Sequence, residues 1–85
     1  MITKSASITN QVIDYLKENI ESGAWKVGEK IPSENQMVTD LGVSRSSIRT
    51  AVQYLIGLGV LKSYQGKGTF LIDRQVENWD EAQNK

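Results

Sequence analysis

The sequence predicts a mainly α fold with a small β-hairpin wing, a three-helix winged helix-turn-helix. Three observations predict it. Apolar residues recur at helical spacing in three separate segments. Only Gly42 and Val43 separate the second segment from Ser44, which caps the third. After the third comes a pair of β-branched and aromatic runs joined by "QGKG".

The first helix is written in "ITNQVIDYLKENIESG". Ser7 or Thr9 caps it, Val12, Ile13, Leu16 and Ile20 form one face, and Gly23 stops it. "AWKVGEKIPSEN" follows, with a bend at Gly28 and Pro32 and a short extended piece at Lys30–Ile31. Ser33 caps the second helix. Gln36 stands three residues on, completing a capping box, and Glu34 in the first turn suits the helix dipole. Met37, Val38 and Leu41 supply the apolar side and Gly42 ends the helix. The third helix runs from Arg45 to Ile56 or Leu58 and is closed by Gly57 and Gly59. Its buried stripe is Ile48, Ala51, Val52 and Leu55; Arg45, Ser46, Arg49, Thr50 and Gln53 lie on the other side, without a carboxylate among them. Val60–Tyr64 and Thr69–Ile72 read as strands, with Lys67 at the tip of the loop between them and Phe70 turned into the core. Residues 1–72 thus form one domain. Residues 73–85 read as a linker, or as the start of a further C-terminal domain.

Composition narrows the chemistry. The chain of 85 residues has no cysteine and no histidine, which removes the commonest nucleophilic, general-base and metal-ligating side chains. Apolar residues make up 39 %, enough for one core and too few for a large buried pocket. No pair of acids is placed by a recognisable catalytic motif. No apolar run approaches a membrane span and no signal-peptide pattern opens the chain, so a cytoplasmic protein without a membrane partner is expected. The net charge is zero, but its distribution is uneven: between Leu41 and Ile72 the only charged residues are Arg45, Arg49, Lys62 and Lys67. That stretch is an electropositive surface inside a neutral protein.

Arg45 breaks a local rule. A helix N-terminus carries partial positive charge, and a cation there costs about 0.3–1 kcal/mol. On those grounds alone, its removal relieves the free domain slightly. The same charge becomes an asset against a polyanion, where Arg45 and the free N–H groups all aim at one place. In a helix-turn-helix, the N-terminal residues of this helix enter the major groove, and an arginine there pairs with guanine O6 and N7.

Residues 28–71, "GEKIPSENQMVTDLGVSRSSIRTAVQYLIGLGVLKSYQGKGTFL", resemble the DNA-binding domain of the GntR family of bacterial transcription regulators. The resemblance rests on Pro32-Ser33-Glu34, Leu41-Gly42-Val43-Ser44-Arg45, Ile48-Arg49, Gly59-Val60-Leu61 and Gly66-Lys67-Gly68-Thr69-Phe70, and with the first helix it covers residues 8–72. It implies DNA contacts from Arg45 and Arg49, from Ser44, Ser46 and Ser47 at the helix start, and from Gln65, Gly66, Lys67 and Gly68 in the wing. The family usually has a base-reading arginine after Pro-Ser-Glu. Here the residue is Asn35, which suits adenine N6/N7, or only a phosphate. Thr50 and Val52 stand where Glu and Leu are usual. The "SRSSIR" and "GKGTF" wording leans towards the FadR-like branch over the HutC-like branch. The resemblance further implies a metabolite-responsive regulator, a repressor in the commoner case, that binds a palindromic operator on double-stranded DNA as a homodimer. It implies no cofactor in this domain, with the small-molecule effector on a C-terminal domain beyond this chain.

Plainer readings exist for several of these residues. Trp25 and Tyr64 fit as packing residues, although Tyr64 also fits a phosphate contact. Trp79 fits a docking role in the tail. Lys62 and Lys67 fit as solvated lysines, and Gly66 and Gly68 as turn glycines. A winged helix used only for protein contacts is the rival function; it requires neither the arginines of the third helix nor a basic wing.

Overall fold

The computed structural model describes residues 7–74. Three helices, α1 (Ile8–Glu21), α2 (Glu34–Leu41) and α3 (Arg45–Gly57), precede the antiparallel strands β1 (Leu61–Tyr64) and β2 (Gly68–Leu71). Each helix starts at a serine whose hydroxyl accepts an otherwise orphaned N–H. Ser7 takes that of Asn10, Ser33 that of Gln36 and Ser44 that of Ser47. Only Ser33's half of the predicted capping box forms. The Gln36 side chain donates instead to Asp40 Oδ1 at 2.9 Å, one turn along the same helix.

The turn between α2 and α3 depends on Gly42, which adopts φ 68, ψ 31 and donates its N–H to Val38 O. That left-handed conformation is costly for most side chains. It allows α3 to begin with only Gly42, Val43 and Ser44 between it and the end of α2. α3 packs against α1, α2 and β1, so it forms the centre of the molecule. Ile48, Ala51 and Leu55 on α3, Leu16 and Ile20 on α1, and Leu71 on β2 are sealed from water. α1 ends on a contact from far along the chain: Arg74 Nη2 donates to the carbonyls of Ile20 and Glu21 at 3.1 and 3.2 Å. A cation on the last carbonyls of a helix satisfies them and complements the dipole.

The hairpin departs from expectation in two ways. The loop is Gln65-Gly66-Lys67, closed by Lys67 N–H to Tyr64 O at 2.9 Å, and Gly68 already pairs with Tyr64 as the first residue of β2. Phe70 is not a core residue. It is half-buried on the wing face, edge-on to Tyr64 with ring centroids 5.6 Å apart, because its register partner is the exposed Lys62. Lys62 Nζ lies 5.4 Å from the centre of the Tyr64 ring. The other side of β2 is covered by the extended piece at Lys30–Ile31, where Lys30 bridges Phe70 and Ile31 N–H donates to Thr69 O at 2.9 Å. Trp25 packs edge-on to Tyr15 against the core, as expected of a packing residue. Trp79 lies outside the described residues.

Gly68 adopts φ 122, and a Cβ built on it falls 2.5 Å from Lys30 Cε. The lysine tail can swing aside, so the backbone conformation dominates the cost. Gly68→Ala is expected to lower stability by about 1–3 kcal/mol, measured by urea unfolding. A change below a few tenths would show that the wing tolerates a side chain there.

Candidate nucleic-acid interface

α3 presents Arg45, Ser46, Arg49, Thr50 and Gln53 to solvent, as its apolar spacing requires. The tight Gly42 turn places its N-terminus beside the N-terminus of α2. The hairpin then folds back so that its tip approaches both. The result is an open groove of ≈ 480 Å3 between the wing and the starts of α2 and α3. Asn35, Arg45, Gln65, Gly66, Lys67 and Gly68 all line it, although 33 positions separate the first from the last. Ser44, Ser46, Ser47 and Arg49 do not line the groove; they sit on the adjoining surface of α3 and its cap.

The three serines differ in what they can offer. The Ser44 hydroxyl accepts from Ser47 N–H at 3.2 Å and donates to Ser47 Oγ at 3.0 Å, so it is committed to capping. Ser47 is half-buried, whereas Ser46 is exposed with a long 3.4 Å contact to Ser44. Ser46 therefore has the freest hydroxyl of the three for a partner outside the molecule.

The electropositive surface is not free of acid, contrary to its look in the sequence. Glu34, from the first turn of α2, reaches across to α3. Its Oε2 accepts from Arg49 Nε at 3.3 Å and its Oε1 from Arg49 Nη2 at 3.2 Å. Arg45 Nη1 lies 3.8 Å from the same Oε1. The hydrogen bond to Glu34, and secondarily its charge, raise the Arg49 guanidinium above its ordinary value. That raised value gives this ion pair a stabilising part that is lost only as pH climbs through the alkaline guanidinium range, so Arg49 stays charged at any neutral pH. Both arginines remain largely in solvent, with side chains 52 % and 62 % exposed.

Two further residues belong to this surface. Lys30 lines the groove with its stem against Gly68, and Tyr64 lines it from the wing. Neither Lys30 nor the role of Glu34 is marked in the sequence. Glu34 reads there only as a favourable first-turn acid, and Lys30 as a residue of the extended piece. Their proximity to Gly68 and the arginines arises from chain reversal.

Residues 8–71 match the model of the bacterial regulatory proteins of the gntR family. The chain belongs to that family. This gntR-family domain is 44 % identical over 63 residues to the probable fructoselysine utilization operon transcriptional repressor of Escherichia coli K12, a match that covers 74 % of this chain and 26 % of that protein. The chain thus spans about a quarter of the length of that relative. A GntR family transcriptional regulator from Listeria monocytogenes superposes with a TM-score of 0.82 at 26 % identity, over 98 % of this chain and 77 % of that one. The DNA-binding domain of AraR, solved in complex with its operator ORR3, superposes with a TM-score of 0.72 at 35 % identity, over 84 % and 89 %. The winged-helix architecture of this gntR-family domain is therefore shared with solved relatives. Among its described residues, no helix is long and apolar enough to cross a membrane.

Proposed function

We propose that residues 7–74 are the DNA-reading domain of a cytoplasmic bacterial transcription repressor, with the N-terminus of α3 in the major groove and the wing beside it. The observation that carries this reading is the convergence of Arg45, Asn35 and the Gln65–Gly68 tip on one open, cation-lined groove at a helix N-terminus. The AraR domain in its operator complex, and the repressor named among the relatives, support it. A free helix N-terminus and exposed guanidinium groups are what phosphates and guanine edges accept from. The reading extends to a homodimer on an inverted repeat and to a small-molecule effector that acts from outside the described residues. A single small module reads few base pairs, and pairing two of them on one duplex multiplies affinity without new contacts.

The test is selection of duplexes from a random pool, followed by titration against salt. A recovered inverted repeat, with affinity that falls as salt rises, supports the reading. Binding that ignores sequence overturns it. Asn35→Arg is expected to return a different consensus from the same pool while total affinity changes little, because position 35 faces the groove and an arginine prefers guanine where asparagine prefers adenine. Identical consensus sequences from both proteins would remove Asn35 from base reading.

A further inference from the structure

The geometry points to Glu34 as a positioning residue that sets how well the domain tells its own site from other DNA. This inference rests on the function proposed above. Glu34 is the one acid that stands against both α3 arginines among the described residues. A guanidinium carries five N–H donors, one on Nε and two on each Nη. Glu34 takes the Nε–H and one Nη2 N–H of Arg49 in a side-on fork. The other Nη2 N–H and the Nη1 N–H beside it form the end-on edge, the pair that suits guanine O6 and N7, on a side chain that is 62 % exposed. The carboxylate thus fixes the guanidinium plane with its base-reading edge outward.

The same carboxylate acts oppositely on the two kinds of DNA contact. A phosphate approaching this surface meets two cations and one anion where it would otherwise meet two cations, and the carboxylate is itself partly exposed. Charge-driven binding, which every sequence shares, is weakened. A base edge offers dipoles rather than a full charge, so it loses less and gains from the fixed orientation. Glu34 accordingly gives up total affinity for discrimination. Its place in the first turn of α2 keeps it there, because the helix dipole and the Ser33 cap hold that turn.

Glu34→Gln keeps the length and an acceptor oxygen while removing the charge. The full chain is titrated with two probes, the duplex recovered by random-pool selection and a random-sequence duplex of equal length, at several salt concentrations. The expected result is roughly three- to tenfold tighter binding to the random duplex, a salt slope steeper by about one, and a specific-to-random affinity ratio at least about threefold lower. Glu18→Gln, on exposed α1 away from the groove, controls for net charge and is expected to leave the ratio at the wild-type value. Melting curves confirm that both variants are folded in the assay. A Glu34→Gln ratio equal to that of the wild type, or equal to that of Glu18→Gln, overturns the role of Glu34 and leaves the proposed function standing. A wild-type protein that shows no preference for the selected duplex overturns both.

Discussion

Replacing Leu55 with alanine is expected to lower the folding free energy by about 2–5 kcal/mol, the range for emptying a sealed leucine site. Leu55 is fully excluded from water on α3, the helix that touches α1, α2 and β1. A small domain has a total stability towards the lower end of about 5–15 kcal/mol, so the loss is a large fraction of what it has. At about 4–8 °C per kcal/mol for a domain of this size, the melting temperature falls by at least about 8 °C. Calorimetry or far-UV circular dichroism measures it. A fall of only a degree or two would mean that the core does not centre on α3.

Arg45→Ala is expected to weaken binding to the selected duplex by about 1–3 kcal/mol, roughly 5- to 150-fold, and binding to random DNA far less. Arg45 lines the groove at the first position of α3, the place from which a helix-turn-helix reaches base edges. Lys67→Ala provides the contrast. Lys67 stands at the hairpin tip, where the proposed reading sets it against phosphate, so its loss should weaken all sequences alike and reduce the salt slope by about one per protomer. Folding stability should change by less than about 0.5 kcal/mol for Arg45→Ala. The slight gain that the lone cation at a helix start suggests is offset, because Glu34 stands 3.8 Å from Arg45 in the folded protein. Equal losses on selected and random DNA would assign Arg45 to the phosphate backbone instead.

Local rules made most of the architecture legible. Ser33 and Ser44 announce two helix starts because a hydroxyl just before a helical stripe has one obvious use, and the structure chooses Ser7 over Thr9 for the third. Gly42 announces the turn because little else adopts its φ cheaply. The groove-lining residues were legible only in part. Arg45 betrays itself by standing at the wrong end of a helix dipole and the wing tip by Lys67 in a glycine-rich loop between two β runs, whereas Asn35 is marked only by family resemblance.

The sequence by itself determined the element order, the helix caps, the outward face of α3 and the concentration of cations between Leu41 and Ile72. These follow from forces that act over a few residues: capping bonds, side-chain periodicity and backbone sterics. Tertiary structure alone decided that Glu34 forks onto Arg49, that Lys30 lies over Gly68, that Phe70 faces the wing, and that Arg74 closes the end of α1. The reason is distance along the chain. Glu34 and Arg49 stand 15 positions apart in the chain, and Ile20 and Arg74 stand 54 apart. Charges and carbonyls so separated meet only once the buried faces of α1, α2 and α3 have packed and set where each terminus points.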